Sequence, residues 1–311
     1  MSSEKSVEVR GEDLVVEGPK GAQYVKIGNT RIRLANPMEL NFEWVGARTV
    51  MDQLRAAWFV EEEGEFAMAP RLVGKPGVGK TVMAYSAAKT MERPVYLFQA
   101  TSDTQPNDVL INTVHIETGK NEYQMEYVAS SLVTAMIVGG CIVFDEGNRM
   151  QEKAWASLSC LLDSRRYIES ITAGVVIKAH PQFRFVATMN DDKSCFDLPE
   201  YIQSRLQPQI MIDNPDRSEE RRILEVNCPR TDPIILDYVA DFLESAHRAD
   251  ERFTVREGIH LANYAGKIVR YNADNGRDIE PGKAVLTAIE QVLGVRQTRY
   301  LKQVLIKEAA A

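Results

Sequence analysis

The sequence predicts an α/β fold: a mostly parallel sheet sandwiched by helices, with a C-terminal all-helical domain and a small N-terminal β-hairpin extension. Three observations predict it. A complete G-x-x-x-x-G-K-[ST] loop, Gly74-Lys75-Pro76-Gly77-Val78-Gly79-Lys80-Thr81, stands between the apolar end Arg71-Leu72-Val73 and a helical run from Val82 to Met91. Strand-like and helix-like stretches then alternate until about Asn214-Pro215-Asp216. From Ser218 onward only helical periodicity remains. These changes of character divide the chain into an extension over 1–38, an α/β core over 39–213 and a helical domain over 214–311.

The bulk composition agrees with such a fold. The 311 residues are 44% hydrophobic and 26% charged, enough for a substantial core. The formal net charge of −7 exerts no overall pull on nucleic acid or an anionic membrane, so neither is an expected partner. Cys141, Cys160, Cys195 and Cys228 lie far apart, a spacing that gives neither a zinc site nor a disulfide framework. The polar N-terminus carries no secretory signal, and the longest apolar run, 132–144, is broken by Gly139-Gly140 and too short to span a bilayer. A soluble, cytoplasmic protein with reduced, packing cysteines is expected.

In chain order, a polar start to about residue 12 leads into Leu14-Val15-Val16 and then 24–34. In the latter, apolar and charged residues alternate around Gly28-Asn29, which predicts a hairpin. A helix is predicted from Val45 to about Val60, ended by the acidic turn Glu61-Glu62-Glu63-Gly64. Past the phosphate loop come a strand at Val95–Gln99, helix Tyr127–Ile137, strand Cys141–Phe144, helix Met150–Leu162 and strand Phe183–Thr188. Residues 111–123 alternate around Thr118-Gly119-Lys120-Asn121 and read either as a hairpin or as a plain surface excursion. A second hairpin is predicted over Tyr167–Val176, preceded by Arg165-Arg166. The helical domain contributes Arg221–Val226, Ile234–Ala246, Val255–Tyr271, Lys283–Leu293 and the basic amphipathic Arg296–Lys307, read as an ordinary helix with a charged outer face.

The loop's chemistry follows from its residue types. Glycines let consecutive N–H groups turn inward on phosphate oxygens, and the helix beginning near Val82 adds partial positive charge at its N-terminus. Lys80 reaches the β- and γ-phosphates and the Thr81 hydroxyl ligates Mg²⁺. Cys141-Ile142-Val143-Phe144 runs straight into Asp145-Glu146, and a parallel sheet presents such strand ends at its ligand crevice. Asp145 is assigned to the metal shell with Thr81, and Glu146 to orienting and polarising the attacking water. Taken alone, the two acids also read as helix-capping groups. Asn190, ending the next strand, reads as a γ-phosphate or water contact or as a turn residue, and Arg205 has no assignment from spacing.

These pieces together resemble the MoxR-type AAA+ ATPases, including those associated with von Willebrand factor A proteins. The resemblance spans about 45–267 and rests on GKPGVGKT, the polar stretch 101–110, Gly139–Arg149, His180–Asn190, the LPEYIQSRL segment 198–206 and Thr254-Val255-Arg256-Glu257. It implies a P-loop AAA+ core with a helical lid, ATP and Mg²⁺ as ligands, and a homo-oligomer in the form of a hexameric ring. It further implies that Asn190 is the sensor-1 residue, that Arg205 is an arginine finger given to a neighbouring subunit, and that Arg256 is the sensor-2 residue at the start of a lid helix. Arg256 also reads as one half of a helix-surface salt bridge. Residues 111–123 match the family's helix-2 insertion. Where Gly147 stands the family usually has a bulky aliphatic residue, which leaves the acids intact and predicts a looser loop at Asn148 and Arg149.

The expected function is Mg-dependent ATP hydrolysis by a ring-forming protein that remodels a partner protein or complex, a von Willebrand A-domain protein being one candidate. Two other readings stay open: a nucleotide-gated assembly module with incidental hydrolysis, and a nucleic-acid-directed NTPase. Against the last stand the acidic balance and the lack of an N-K-x-D guanine-reading motif.

Overall fold

A computed structural model describes residues 16–17, 22–41, 43–62, 64–119, 122–192 and 196–302. The predicted polar start, most of the 14–16 stretch and the end of the basic helix beyond Lys302 lie outside the described residues. The described chain divides into two compact units. One comprises the described parts of 1–43, 48–74 and 80–211, and the other those of 44–47, 75–79 and 212–311.

The first unit opens with β1 (Val16–Glu17), β2 (Gln23–Ile27) and β3 (Thr30–Arg33), then α1 (Arg48–Trp58), β4 (Arg71–Gly74), α2 (Lys80–Lys89), β5 (Val95–Gln99) and α3 (Pro106–Val109). The hairpin β6 (Ile111–Gly119) and β7 (Glu122–Ala129) follows, with α4 (Ser131–Val138), β8 (Cys141–Asp145), α5 (Glu152–Ala156), β9 (Tyr167–Ser170), β10 (Val175–Lys178), β11 (Arg184–Asn190), α6 (Glu200–Gln203) and β12 (Gln209–Ile212). The central sheet has the order β12-β4-β11-β8-β5. Its inner pairings are parallel, with Asn190 opposite Gly74, Val186 opposite Val143 and Gln99 opposite Asp145. That register brings Gly74, Asn190, Asp145 and Gln99 to one end of four adjacent strands. Every residue of β11 is buried, as are the four apolar residues of β8, as expected for strands covered on both faces.

The predicted N-terminal hairpin forms, with Gly28 in the left-handed region at φ 58° where its turn requires it. It is part of a larger sheet, β1-β2-β3-β7-β6, in which β3 runs parallel to β7 through Ile32–Tyr127 and Arg33–Val128. This pairing explains why the predicted helix Tyr127–Ile137 starts late. Tyr127, Val128 and Ala129 are held as strand by β6 and β3, and the helix starts only after Ser130, whose hydroxyl accepts from the Val133 N–H at 3.1 Å. The predicted helix Met150–Leu162 is likewise shortened to α5. Beyond it the backbone tightens into turns, Leu158 N–H to Trp155 C=O and Leu161 N–H to Leu158 C=O, that keep both leucines fully buried.

The second unit carries α7 (Arg217–Asn227), α8 (Pro233–Arg248), α9 (Val255–Asp274) and α10 (Pro281–Val292), followed by a 3₁₀ turn at Val295–Gln297. Sequence signals fix the starts: Asp216 and Asp232 cap α7 and α8 through the Glu219 and Ile234 N–H groups, and α8 and α10 begin on proline. Leu224, Leu236, Phe242, Leu243, Leu261 and Ile289 form the centre of this unit's core. The packing is close: a Cβ added at Gly258 would come within 2.7 Å of the Leu243 side chain. Truncating Leu243 to alanine would therefore leave a cavity costing about 2–5 kcal/mol. Among the described residues no helix is long and apolar enough to cross a membrane. The thiols of Cys141 and Cys228 are buried, and burial pushes both up to about 11, which leaves them unreactive packing groups.

Candidate active site

The first unit brings five of the predicted residues together at the ends of β4, β8 and β11. Lys80, first residue of α2 and 6% exposed, donates from Nζ to the Gly74 carbonyl at 2.9 Å. The neighbouring Thr81 hydroxyl donates to Asp145 Oδ1 at 2.6 Å, and the Thr188 hydroxyl donates to the same oxygen. The Glu146 backbone N–H in turn donates to the Thr188 hydroxyl at 3.1 Å. A hydroxyl and a carboxylate held side by side in this way are the two protein oxygens that a magnesium shell takes from a phosphate-loop enzyme.

Glu146 has an uncommon backbone for its type. Its φ of 52° lies in the left-handed region, a conformation that costs of order 1–3 kcal/mol and persists where the surroundings impose it. Its carboxylate is reached from three directions. Asn190 Nδ2 donates to Oε1 at 3.3 Å, Gln99 Nε2 donates to Oε2 at 3.1 Å, and Arg149 Nε stands 2.7 Å from Oε2. The arginine contact is an ion pair by distance, since its Nε–H is not aimed at the oxygen and makes no hydrogen bond. Asn190 itself is fixed by Asn148, whose amide donates to the Asn190 carbonyl at 2.7 Å and accepts from the Asn190 N–H at 3.3 Å. The loop carrying Asn148 is not loosened by the glycine before it. Trp155 fills the space, its ring within 3.0 Å of where a Gly147 Cβ would stand and its indole N–H donating to the Gly147 carbonyl at 3.2 Å.

Arg205 is bound elsewhere in this unit. Its guanidinium donates to Asp163 Oδ2 at 3.2 Å and to the Tyr201 carbonyl at 2.5 Å, with the side chain 27% exposed. Asp163 also accepts from Arg165 at 2.7 Å, and Arg165 foremost, with Arg205 adding to it, holds the Asp163 carboxyl well below the usual carboxylate range. The segment carrying Arg205 is anchored from beneath by Arg71, a buried residue at the start of β4. Arg71 donates to the carbonyls of Gln203 and Leu206 at 2.8 and 2.7 Å and to the Gln209 side chain at 2.6 Å.

The second unit contains Lys75, Pro76, Gly77, Val78 and Gly79, the middle of the phosphate loop. Gly77 and Gly79 adopt φ of 81° and 96°, open only to glycine at low cost. A Cβ at Gly77 would collide with the Thr254 hydroxyl and lie 3.5 Å from Arg256 Cβ, while one at Gly79 would meet the Trp44 ring at 3.0 Å. Arg256 thus lies in the first turn of α9 beside the loop, and Trp44 packs on the loop's other glycine. Among the described residues the buried Trp44 indole N–H has no hydrogen-bond partner. Within this unit, a cradle kept free of Cβ atoms with an unsatisfied donor beside it fits a phosphate group. Within the first unit, the Thr81–Asp145 oxygen pair fits a magnesium ion.

Sequence reasoning assigned no role to Gln99, Thr188, Asn148, Asp163, Arg71 or Trp44. Thr188 and Gln99 were within reach, since each is a polar residue at the C-terminal end of a predicted apolar strand. The other four act over long sequence separations and leave no local signature.

Residues 71–206 match the AAA domain, dynein-related subfamily. Uncharacterized proteins from Staphylococcus saprophyticus and Staphylococcus epidermidis are each 24% identical over 234 and 235 residues, covering 70% of this chain and 88% of theirs. Among solved structures, a RuvB mutant from Thermotoga maritima superposes with a TM-score of 0.55 at 17% identity, covering 80% of this chain and 71% of that one. A second RuvB mutant from the same organism gives 0.54 at 16%, covering 79% and 69%. The likeness is one of fold: a P-loop AAA core on a parallel five-stranded sheet, with an N-terminal hairpin and a C-terminal helical region.

Proposed function

We propose that the AAA domain of residues 71–206 binds and hydrolyses ATP, and that it does so as a ring-forming oligomer, a hexamer by resemblance to MoxR-type proteins. The observation that carries this reading is the grouping of Lys80, Thr81, Asp145, Glu146 and Asn190 at adjacent strand ends. Lys80 neutralises the β- and γ-phosphates. Thr81 and Asp145 would hold Mg²⁺, which when bound supplies charge neutralisation on the phosphate oxygens. Glu146 orients and polarises the lytic water, and Asn190, already bonded to that carboxylate, fixes its direction. Arg256, beside Gly77, would touch the γ-phosphate in its own subunit, and Arg205 would stabilise the transferring phosphoryl in a neighbour's site.

The work so released would remodel a partner protein or complex, with a von Willebrand A-domain protein as the candidate partner. RuvB is described as a Holliday junction branch migration motor. That activity is not carried over here: the likeness is one of fold, and the net charge of −7 gives no general affinity for nucleic acid.

The test mixes two inactive chains, Arg205→Ala and Lys80→Ala, each confirmed to oligomerise. Some interfaces in the mixture then pair an intact phosphate loop with an intact finger, and Mg-dependent ATP turnover returns. No return of turnover would refute the shared site. Glu146→Gln separates the assembly-module reading: it should bind ATP and assemble, yet hardly turn over or release a partner. Partner release unaffected by this change would favour nucleotide-gated assembly.

A further inference from the structure

Away from the phosphate-binding residues, one buried acid in the helical unit stands out. Glu220 on α7 is 1% exposed, and among the described residues neither of its carboxylate oxygens has a hydrogen-bond partner. Burial foremost, then repulsion from Glu244 and Asp216, pushes its pKa up to about 8, so the carboxyl holds its proton near neutrality. Its Oε1 stands 3.7 Å from Nδ1 of His247 on α8, and the other ring nitrogen, Nε2, stands 2.6 Å from the Phe253 carbonyl.

The chemistry of these three groups fixes the protons. A carbonyl can only accept, so Nε2 carries a hydrogen, and in the neutral ring Nδ1 then offers a lone pair toward Glu220. A protonated Glu220 is the complementary donor, and an approach of roughly 0.7 Å would bring the pair to hydrogen-bond distance. If the carboxyl loses that proton to solvent, a carboxylate faces a lone pair. The ring's remaining proton is then drawn to Nδ1, and Nε2 turns a lone pair on the Phe253 carbonyl in place of its N–H.

Phe253 directly precedes the cap of α9. The Thr254 N–H donates to Glu257 at 2.8 Å, and the Thr254 hydroxyl donates to the same carboxylate. Arg256 lies in the turn so formed, and Gly77 of the phosphate loop packs against Thr254 and Arg256. Several other charged groups on or beside α7 and α8 are already engaged. Arg217 pairs with Asp241 at 2.5 Å, Glu244 with Arg248 at 2.8 Å, and Asp216 accepts from the Glu219 N–H and the Ser218 hydroxyl.

We propose that Glu220 and His247 share one proton and, through the Phe253 carbonyl, fix the first turn of α9 and with it Arg256 beside the phosphate loop. They are positioning residues for the nucleotide reading above, on which the link to ATP rests. Losing the proton would loosen that turn and weaken the grip on nucleotide.

The experiment compares wild type with Glu220→Gln, which keeps the shape and cannot ionise, across pH 6.5 to 9.5. Two quantities are read: amide hydrogen exchange in residues 253–258, as the ratio of wild type to variant at each pH, and equilibrium binding of a fluorescent ATP derivative. Between pH 7 and 9 the exchange ratio should rise about fivefold or more, and wild-type ATP affinity should fall by a similar factor while the variant stays flat, a coupling at the lower end of the usual range. His247→Gln, which can still donate to the Phe253 carbonyl without titrating, should also abolish the step and serves if Glu220→Gln does not fold. Arg256→Ala should bind ATP more weakly, with no pH step in binding but the exchange step preserved. Parallel wild-type and variant curves in both readouts would overturn the inference. An exchange step in a protein that binds no ATP at any pH would overturn the nucleotide reading instead, and leave the shared proton in place.

Discussion

Asn148 offers a sharp test of how the candidate site is held together. Its side chain makes two bonds to the backbone of Asn190, donating to the carbonyl at 2.7 Å and accepting from the N–H at 3.3 Å, where both residues are buried. Asn148→Ala strands both backbone groups in a place that solvent does not reach. A stranded buried group costs about 1–3 kcal/mol, so the pair should cost about 2–6 kcal/mol, read as a lower urea midpoint at unchanged slope. Asn190 would also lose its aim on Glu146 Oε1, 3.3 Å away, and ATP turnover should fall by about tenfold or more, a rise of about 1.4 kcal/mol or more in the barrier. Asn148→Asp sharpens the reasoning. It keeps an acceptor for the Asn190 N–H but sets a carboxylate oxygen against the Asn190 carbonyl, so it should be worse than alanine at pH 8 and recover as the pH falls. An alanine variant within about 0.5 kcal/mol of wild type, the range of ordinary surface changes, would refute the argument.

Two further predictions concern groups outside the site. Arg71→Met keeps an apolar stem at the start of β4 but removes the donors to Gln203, Leu206 and Gln209. It should cost about 2–4 kcal/mol in denaturant unfolding, and it should lower turnover of the assembled protein more than ATP binding, because the segment that loses its anchor carries Arg205. Glu220 has a folded pKa raised to about 8 from an ordinary 4.5, so the folded chain keeps a proton that the unfolded chain has released between those values. Its contribution to stability therefore declines as pH rises from about 4.5 to about 8, by up to about 1.4 kcal/mol per pH unit, and levels off above. Glu220→Gln should lack this decline, and unfolding measured at pH 5 and pH 9 should show it gaining up to about 4 kcal/mol on wild type between the two.

The phosphate loop, the strand ending in Asp145-Glu146 and the helical character after Ser218 were readable because each is written in neighbouring residues. What the sequence left unread depends on register. Gln99 meets Glu146 because β5 lies parallel to β8 with Gln99 opposite Asp145. Asn148 meets Asn190, and Arg71 meets Gln203 and Leu206, only after the chain has returned across the sheet. The late start of α4 has the same origin. The choice at Tyr127-Val128-Ala129 is made by pairing with Ile111–Thr113 of β6 and with Ile32 and Arg33 of β3, far upstream. The glycine at 147 pointed to a loose loop because a single missing side chain is visible in sequence, while the tryptophan that occupies its space is not.

The composition of β11 gives the site a support independent of the loop motif. Arg184–Asn190 is buried from end to end, yet polar side chains stand at Thr188 and Asn190, near the end that the phosphate loop shares. Burying such groups without partners would cost several kcal/mol, so a strand serving only as packing would be apolar there. Each polar group is instead bonded to a residue of the acidic pair or to what holds it: Thr188 to Asp145 and to the Glu146 backbone, Asn190 to Glu146 and Asn148. After Arg184, which donates to the Pro181 and Phe183 carbonyls, the strand is apolar through Phe185-Val186-Ala187, and it turns polar where it must orient two carboxylates. If that is the reason for its composition, Thr188→Val, nearly the same in shape, should leave the fold standing while freeing Asp145 and the Glu146 N–H, and so reduce turnover far more than it reduces stability. Equal and small effects on both would return those side chains to the role of ordinary filling.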